Sequence, residues 1–593
     1  MLKRTCLFLA ALLLLPLSAW AQDKSTSWKL VTIPSASFEQ TIAIIKMESD
    51  SKASIVALPA RASLTISQFE STAGHVKLVL STGMTFTGTV NADGKSVLGT
   101  YGNDQFTSRA KLVPTDKTEL TQADLSTRLT PPEAFTKAMA MNSRPNVLRA
   151  QAQREQDADK KKELLQQATA AQKEADEKIG DMMRGVIARH ADTLAGAEAA
   201  NYLIANASKT KVTADEAIKL FKVMETQAKP YGPGYIRTVV LAATNNLVKA
   251  KGLESVALQI FEPYYTANKK LFEKAPASLQ QTLLSTYKAA LSANNKTTEA
   301  KEIEVALDKI EGQLDKEYLA TVPPFKPAAY AGRKEEANQV AVLELFTGAQ
   351  CPPCVAADVA FDALEKAYPH KDLVLIQYHM HIPGPDPLTN PSSVARWDYY
   401  RKHFAAEIRG TPSTLFNGKP SAGGGGGMAN ARKKYDDYTA IINPILEKST
   451  PVKVSGTASR QGDQIKIAVE VYGAESEDPL KLRVLLVEDS IKYVGSNRLR
   501  FHHQVVRAMP GGAEGIDIKS KTFKHDVTAD ISKIRGDLNK YLDEYAEKTR
   551  PFPYPQRPLD MKHLKVIAIV QNDKTAEIIQ AVQLEVESKV AAK

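Results

Sequence analysis

Cysteine is scarce in this sequence, with 3 among 593 residues. Cys6 lies in an apolar N-terminal stretch, so Cys351 and Cys354, in the order Cys-Pro-Pro-Cys, are the pair that remains in the rest of the chain. A structural zinc site of four protein ligands needs a second such pair or a matching pair of histidines at suitable spacing. Because no other cysteine is present outside the N-terminal stretch, the sequence argues against such a zinc site. The single cysteine pair therefore needs another interpretation.

Long apolar runs are also absent after the first residues. No later run approaches the ~20 residues that a helix needs to cross a bilayer, so we expect no membrane span. The N-terminus has the parts of a signal peptide over 1–21: a basic start at Lys3 and Arg4, an apolar stretch, and a small-x-small sequence that ends at Ala21. We predict cleavage near Ala21 and export to the periplasm or the exterior, where disulfides persist.

A strong excess of one charge is lacking as well. The formal net charge is +10, from 77 Lys and Arg against 67 Asp and Glu, and it falls by two once Lys3 and Arg4 leave with the signal peptide. Charges of both signs are interspersed, and no RNA-binding or DNA-binding motif occurs. We therefore expect no nucleic-acid partner.

The length of the chain is sufficient for about four domains, and the residue composition changes along the chain in a way that fits such a division. We predict a small antiparallel β domain over 27–115, where apolar and polar residues alternate and Asp93-Gly94 marks a turn. Helical periodicity follows over 122–321, in helix pairs whose motif residues are too irregular to establish a tetratricopeptide-like repeat. A purely structural role and a platform for a partner protein are both open for this helical region.

Prolines at 323, 324 and 327 mark a linker into the third region, 328–448. Its predicted elements are, in chain order, a buried strand over 340–346, the cysteine pair, an amphipathic helix over 355–368, a buried strand over 372–378, a helix from 393 to 410 and a strand over 413–416. The dipeptide Thr411-Pro412 comes directly before the last strand. The cysteine pair therefore lies where a strand passes into a helix.

A cysteine at the first turn of a helix is suited to thiol–disulfide exchange. The positive end of the helix dipole and unpaired N–H groups stabilise a thiolate there, so we expect Cys351 to be exposed and reactive and Cys354 to be more shielded. An inert disulfide is the main alternative, but closing so short a loop stabilises a fold by only about 2 kcal/mol. Metal binding by the pair is a further alternative.

The order of these elements and motifs resembles the thioredoxin superfamily over 328–448. The segments 344–354 and 410–416, together with Tyr378-His379 and a following β region, are also similar to the exported outer-membrane-protein-28-related proteins. The resemblance implies an α/β thioredoxin-like fold for this region. The Pro-Pro dipeptide between the cysteines is more similar to the exported reductants of the superfamily than to its oxidants.

The resemblance also implies roles for single residues. Cys351 matches the nucleophile, Cys354 matches the cysteine that resolves the mixed disulfide, and the two form a reversible disulfide. Pro412 matches the proline of cis type that faces the pair, and it leaves the backbone of Thr411 free to bind an extended substrate. Gln350, directly before the nucleophile, is the second predicted substrate-binding residue. No soluble cofactor is expected, because the electrons come from another dithiol.

The sequence departs from the thioredoxin pattern before the first cysteine. Leu345 stands six residues before Cys351, where thioredoxin has a buried acid that relays protons, and Gln350 replaces the usual Trp. Glu344 is one residue earlier and is predicted on the opposite face of the sheet. We interpret Glu344 as a satisfied structural carboxylate, with a supporting acid role as the alternative.

Two histidines and a run of glycines are further candidates. His379 and His381 share a face of a strand that ends near the cysteine pair, with Asp386 close by in sequence. They are weak candidates for a metal site, and anchoring of a loop is the favoured interpretation. The five glycines at 423–427 lack the Lys-Ser/Thr of a phosphate loop and are interpreted as a flexible hinge.

Alternating strands return over 451–590 and predict a β-sandwich-like domain. An insert in this region, 498–515, carries His502 and His503. It is predicted either to pack back on the redox region or to form a binding loop.

Taken together, these patterns predict a multidomain α+β protein that is exported and acts as a thiol–disulfide oxidoreductase on other exported proteins. A separate dithiol would donate or accept the electrons, and the flanking domains would position a substrate or partner. One alternative is a non-enzymatic envelope protein with a thioredoxin-like docking module and an inert disulfide. The other is a protein that handles copper or zinc. The direction of electron flow and the substrate stay open.

Overall fold

The computed structural model describes residues 27–60, 62–91, 94–103, 106–334, 336–552 and 557–588. The predicted signal peptide, its cleavage site near Ala21, and Asp93 of the predicted turn lie outside these residues. Within the described ranges, no helix is long and apolar enough to cross a membrane. The chain is of mixed α+β class and divides into two units, Met1–Leu314 and Asp315–Lys593.

The first unit begins with an antiparallel sheet. Its strands are β1 (Ser27–Ser35), β2 (Phe38–Ser49), β3 (Lys52–Ala57), β4 (Ile66–Thr72), β5 (His75–Leu80), β6 (Thr85–Val90), β7 (Val97–Gly102), β8 (Thr107–Thr115) and β9 (Ser126–Arg128). They pair in the order β3-β2-β1-β8-β7-β6-β5-β4, with β9 beside β2. Alternate residues such as Val76 and Leu78 fill the core, and β3 contacts β4, so the sheet is barrel-like. The predicted antiparallel β domain is confirmed.

Helices make up the rest of the first unit. They are α1 (Glu133–Arg154), α2 (Ala158–His190), α3 (Leu194–Ala205), α4 (Ala207–Thr210), α5 (Ala214–Ala228), α6 (Pro233–Leu247), α7 (Glu254–Phe272), α8 (Ala277–Ala293) and α9 (Thr297–Thr321), which continues into the second unit. Thr193 and Thr213 begin α3 and α5, because each side-chain oxygen accepts a hydrogen bond from a backbone N–H of the first turn. A shared core that includes Leu203 and Phe261 holds the helices together.

The second unit contains twelve described strands and four complete helices. The strands are β10 (Ala341–Thr347), β11 (Leu373–His379), β12 (Ser413–Phe416), β13 (Lys419–Pro420), β14 (Lys453–Gln461), β15 (Gln464–Tyr472), β16 (Leu480–Lys492), β17 (Phe501–Ala508), β18 (Ile516–Asp517), β19 (Thr522–Asp530), β20 (Leu564–Asn572) and β21 (Ile578–Ser588). The helices are α10 (Val355–Ala367), α11 (Pro391–His403), α12 (Ala431–Leu446) and α13 (Ile531–Lys548).

Two fully buried strands form the centre of this unit. Every residue of β10 and β11 is buried, as expected for parallel strands that are covered on both faces. The strands pair in parallel, with Ala341 opposite Leu373, and β12 pairs antiparallel with β10. In chain order α10 lies between β10 and β11, and α11 lies between β11 and β12. The helix predicted to reach residue 410 ends at His403, because Phe404 leaves the helical conformation.

The strands of the predicted C-terminal domain continue the same sheet. β17 pairs in parallel with β11, with Gln377 opposite Val505, and the sheet runs in the order β13-β12-β10-β11-β17-β16-β20-β21-β14-β15-β19. One core cluster contains Phe346 and Trp397 together with Leu485 from β16. The strands over 451–590 therefore share a sheet with β10 and β11, and β17 covers the edge that β11 would otherwise expose. A separate core cluster, which includes Ile467 and Val484, lies within 451–590.

Candidate active site around the cysteine pair

Cys351 and Cys354 are joined by a disulfide, with their Cα atoms 5.4 Å apart. The N–H of Cys351 donates to the carbonyl of Gly348 at 3.0 Å, and a 3-10 turn over Pro352–Cys354 leads directly into α10. The pair thus lies at the N-terminus of a helix, as predicted. Cys351 is 2% exposed and Cys354 is 0% exposed, so the expectation of an exposed Cys351 is wrong for this disulfide form.

Thr411 and Pro412 lie beside Cys351. The peptide bond that joins them is cis, as predicted for Pro412. The hydroxyl oxygen of Thr411 is 3.5 Å from the Sγ atom of Cys351, and the carbonyl oxygen of Thr411 is 3.8 Å from the same atom. Because proline has no N–H, no backbone donor from residue 412 competes at this position. Two motifs that are separated by 60 residues in sequence therefore meet at one sulfur.

Gln350 is bound within the protein. Its Nε2 donates to the hydroxyl of Tyr493 at 3.1 Å, and its Oε1 accepts hydrogen bonds from the hydroxyl and the N–H of Ser496 at 2.7 and 3.3 Å. Arg550 donates to the same Tyr493 hydroxyl at 3.0 Å. The polar atoms of Gln350 are thus bound within the protein, and its predicted contact with a substrate stays a prediction.

The segment 493–499, which connects β16 to β17 and is called the clamp segment below, packs on the loop before the nucleophile. The N–H of Asn497 donates to the carbonyl of Ala349 at 3.0 Å, and its side chain donates to the carbonyl of Gly348 at 3.4 Å. A Cβ atom on Gly495 would lie 2.1 Å from that Ala349 oxygen, so glycine is needed for this approach. The insert 498–515 itself contributes β17, in which Val505 lies opposite Gln377 of β11 and Nδ1 of His503 lies 2.9 Å from Asp362. Of the two predictions for the insert, packing on the redox region is therefore the one that the contacts support.

The glycine run 423–427, called the glycine segment below, packs on the start of α10. The N–H of Gly426 donates to the carbonyl of Pro353 at 2.7 Å, and the carbonyl of Gly426 accepts from the N–H of Ala356 at 2.9 Å. A Cβ atom on Gly425 would lie 2.1 Å from the Pro353 oxygen and 3.1 Å from the ring of Pro412. The prediction of a flexible hinge is wrong, because the segment makes paired backbone hydrogen bonds and close contacts.

The two segments explain why the cysteine pair is buried. The glycine segment contacts Pro353 between the cysteines, and the clamp segment contacts the residues directly before Cys351. The hydroxyl and carbonyl oxygens of Thr411 lie within 4 Å of Sγ of Cys351. These contacts depend on chain segments that are far apart in sequence, so the linear motif alone gave no signal for them.

A buried acid, Asp358, lies one helical turn after Cys354. It accepts hydrogen bonds from the hydroxyl of Thr347 and from Nε2 of Gln377, both at 3.0 Å. Burial raises its pKa well above the usual range, with a further contribution from the charges of Asp362 and Asp386. Sequence reasoning missed Asp358, although its spacing of four residues from Cys354 was a usable signal.

His379 and His381 anchor the loop that carries Asp386. A carboxylate oxygen of Asp386 lies 3.4 Å from Nδ1 of His379, and the N–H of Asp386 donates to Nδ1 of His381 at 3.3 Å. The carboxylate accepts the N–H of Ala349 at 2.6 Å and that of Gln350 at 3.4 Å. Burial by itself would raise the pKa of Asp386, but His379 and backbone donors outweigh it and lower that pKa.

These contacts agree with the loop-anchoring interpretation of the two histidines, which stays a prediction. His379 is also held at its other nitrogen, since Nε2 lies 3.2 Å from the side-chain oxygen of Gln377. Among the residues that the structure describes, no group of three or more His, Cys, Asp or Glu side chains is arranged to hold a metal ion.

Glu344 has a full set of partners away from the cysteines. Arg396 donates to both of its carboxylate oxygens, at 2.9 and 3.1 Å, and the hydroxyl of Tyr378 donates to it at 2.9 Å. Tyr400 also donates a hydrogen bond to it. The interpretation of Glu344 as a satisfied structural carboxylate is confirmed.

The two histidines of β17 differ in their surroundings. His502 is buried against His379, with ring centroids 4.9 Å apart, and burial lowers its pKa to about 3. Nδ1 of His503 lies 2.9 Å from Asp362. Burial lowers the pKa of His503, but the Asp362 charge outweighs that effect and brings the pKa to about 9.

No family model and no curated protein matches this chain. Among solved structures, it is similar to HBP35 of Porphyromonas gingivalis, with 14% identity, a TM-score of 0.30, and coverage of 44% of this chain and 80% of that one. A protein of Agrobacterium tumefaciens matches with 18% identity, a TM-score of 0.28, and coverage of 44% and 99%. A domain of the outer membrane lipoprotein Omp28 of Porphyromonas gingivalis matches with 14% identity, a TM-score of 0.16, and coverage of 24% and 92%. TM-scores this low support no inference about function.

Proposed function

We propose that this protein is an exported thiol–disulfide oxidoreductase that acts on disulfides of other exported proteins through Cys351 and Cys354. The observation that carries the proposal is the meeting of two separate motifs at one sulfur. The disulfide lies at the start of α10, and the cis Thr411–Pro412 peptide lies beside it, with the Thr411 oxygens 3.5 and 3.8 Å from Sγ of Cys351. The signal-peptide pattern over 1–21 supports the proposed export.

A thioredoxin-like fold for 328–448 is part of this proposal. The supporting observations are the parallel pairing of β10 and β11, the antiparallel addition of β12 and β13, and the helices α10 and α11 in the connections. For the helical region we propose a platform for a partner protein in a tetratricopeptide-like arrangement. The successive packing of α6 on α7 and of α7 on α8 supports that arrangement.

The proposed reaction begins with a thiolate on reduced Cys351. It attacks one sulfur of a substrate disulfide, a bond forms between Cys351 and that sulfur, and the second substrate sulfur leaves as a thiolate. Cys354 then attacks Cys351, the protein disulfide forms, and the first substrate sulfur leaves as a thiolate. The substrate gains two electrons and the protein loses two. A separate dithiol restores the reduced pair by the same steps.

The surroundings of Cys351 suit the first step. A thiolate at the N-terminus of α10 is stabilised by the helix dipole. The Thr411 hydroxyl, 3.5 Å from the sulfur, is placed to donate a hydrogen bond to it. The Thr411 backbone next to the sulfur is the proposed contact for an extended substrate chain.

One observation favours the second candidate, a docking protein with an inert disulfide. Both cysteines are buried in the disulfide form, with 2% and 0% exposure. A partner then reaches the bond only after the glycine segment, the clamp segment or Thr411 moves. If none of them moves, the disulfide would be structural.

The test combines the reduction potential of the Cys351–Cys354 couple with trapping of partners. We expect a potential above about −300 mV, because a reversible pair has to exchange electrons with other thiols. We expect Cys354→Ser to accumulate mixed disulfides with exported proteins, and Cys351→Ser, the matched control, to trap none. A potential below about −300 mV together with no trapped partner would establish the docking protein instead.

A further inference from the structure

The end of α9 lies against the two ends of the clamp segment. α9 begins in the first unit, and its residues from Asp315 onward belong to the second unit, as does the cysteine pair. The Asp315 carboxylate binds two cations: Oδ2 accepts from Nζ of Lys492 at 2.6 Å, and Oδ1 accepts from Nε of Arg500 at 2.7 Å. Lys492 directly precedes the clamp segment and Arg500 directly follows it. One carboxylate therefore holds both ends of the segment.

Backbone hydrogen bonds close the clamp segment into a loop. The N–H of Tyr493 donates to the carbonyl of Arg500 at 3.1 Å, which joins the first residue of the segment to the residue after its last. Within the loop, the N–H of Arg498 donates to the carbonyl of Gly495 at 3.1 Å. Because the loop is short and internally bonded, we expect it to move as one piece when its ends are released.

An apolar contact lies beside the ion pairs. Leu499, the last residue of the clamp segment, is 1% exposed and shares a core cluster with Val355 at the start of α10. Tyr318, about one helical turn after Asp315, packs against this cluster, and its ring centroid is 5.9 Å from that of Phe501. The last turns of α9 therefore support the clamp segment at the same end that meets the helix of the cysteine pair.

Burial makes the two ion pairs unequal. The side chains of Asp315 and Arg500 are 22% and 9% exposed, whereas that of Lys492 is 41% exposed. Ion pairs between exposed side chains contribute little, because water and salt screen them, and partly buried pairs are screened much less. We therefore expect the pair with Arg500 to hold the segment more firmly than the pair with Lys492.

The clamp segment occupies a residue that is predicted to bind substrate. Gln350 donates to the hydroxyl of Tyr493 and accepts from the hydroxyl of Ser496, and Asn497 donates to the loop directly before Cys351. A substrate chain that binds Gln350 has to replace these contacts. The ease of that replacement depends on how firmly the ends of the segment are held.

We propose that Asp315 is a positioning residue that keeps the clamp segment closed over the loop before Cys351, and that it thereby sets how readily another thiol or disulfide reaches the cysteine pair. The inference rests on the proposed function, since it concerns the access of a partner to that pair. Asp315 acts through Lys492 and Arg500 and takes no part in the exchange of sulfur bonds.

The experiment measures how fast dithiothreitol reduces the Cys351–Cys354 disulfide in the folded full-length protein. Samples are alkylated at intervals, and the mass of the intact protein gives the number of free thiols. Asp315→Asn keeps the size of the side chain and removes its charge, and we expect reduction to become about tenfold faster. Asp308→Asn, at an exposed position of the same helix, is the control and should match the wild type. Equal rates in the two variants would overturn the inference.

Two further variants separate the ion pairs from a general loss of stability. Asp315→Glu keeps the charge, so we expect it to return the rate to within about threefold of the wild type. Combining Asp315→Asn with Arg500→Gln should accelerate reduction by clearly less than the product of the two single effects, because both changes break one contact. A full product would show that the two residues act independently and would overturn the proposed role.

Lys492→Gln covers the case in which Asp315→Asn does not fold, since it alters a side chain at the surface. We expect about threefold faster reduction in this variant, and a larger acceleration in Arg500→Gln. Wild-type rates in both would contradict the inference.

The inference and the proposed function fail in different ways. The proposed function fails if Cys354→Ser traps no exported protein, and the role of Asp315 in access to a working redox pair then fails with it. If Cys354→Ser traps partners while Asp315→Asn is reduced at the wild-type rate, the inference alone fails.

Discussion

At the scale of single residues, the partners of a buried carboxyl group decide what it is able to do. Glu344 accepts hydrogen bonds from the Arg396 guanidinium and from two tyrosine hydroxyls. Asp358 receives neutral donors from Thr347 and Gln377, and burial raises its pKa. The first arrangement pairs a buried carboxyl group with a cation, and the second gives a buried carboxyl group neutral donors.

Replacing Glu344 by Gln should therefore destabilise the second unit strongly. The substitution leaves the buried Arg396 without its counter-ion, which typically costs about 3–5 kcal/mol. Urea unfolding followed by the fluorescence of Trp397, which lies in the same core region, measures the change. Asp398→Asn on the exposed side of α11 is the matched control and should stay within about 0.5 kcal/mol of the wild type. A loss below about 1 kcal/mol in Glu344→Gln would contradict this account of the ion pair.

Residues within one linear motif were predictable, and residues brought in by the fold were not. The cysteine pair and Thr411-Pro412 are recognisable in sequence because each is a short contiguous motif, although the two motifs meet only in the fold. The resemblance pointed to the strand position of Leu345 for a buried acid, and the buried acid Asp358 lies on α10 instead. Gln377 and Asp386 come from other elements, and no spacing rule connects them to the cysteines.

At the scale of elements, two backbone segments enclose the cysteine pair. The glycine segment bonds to Pro353 and Ala356, and the clamp segment bonds to Gly348 and Ala349. In both, glycine permits an approach that a side chain would prevent. A run of glycines in sequence does not by itself separate a flexible linker from a backbone that has to pack closely, which is why the hinge prediction failed.

The glycine segment offers a test with a control from the same run. A Cβ at Gly425 would lie 2.1 Å from the Pro353 oxygen, whereas a Cβ at Gly427 would meet nothing within 4 Å. Overpacking of this kind costs about 1–3 kcal/mol, so Gly425→Ala should displace the segment and expose the disulfide. We expect reduction by dithiothreitol to become about tenfold faster in Gly425→Ala and to stay unchanged in Gly427→Ala. Equal rates in the two variants would show that the segment does not limit access.

At the scale of the whole molecule, the strands on either side of residue 451 in the second unit belong to one sheet. β17 pairs with β11, and one core cluster contains Phe346 and Trp397 together with Leu485 and Ile567. The sequence pattern indicated the strands correctly but divided them at residue 451. Periodicity reports which residues are buried, and it does not report which strand lies beside which.

A truncation distinguishes one folding unit from two. A fragment over 297–450 keeps all of α9 and the cysteine pair but loses β16, β17 and β20, which supply much of the shared core. We expect it to aggregate or to unfold without a cooperative transition, while a fragment over 297–593 unfolds cooperatively. Circular dichroism during heating measures both. Cooperative unfolding of the shorter fragment would restore the domain boundary predicted from sequence.

Asp386 affects the relative stability of the dithiol and disulfide forms of the cysteine pair. Its low pKa keeps a negative charge where the N–H groups of Ala349 and Gln350 point, directly before Cys351. That charge opposes the helix dipole, so it reduces the stabilisation of a thiolate at Cys351. Under the proposed function, a less stable thiolate would raise the free energy of the dithiol relative to the disulfide, and the pair would then favour the transfer of electrons to a substrate disulfide.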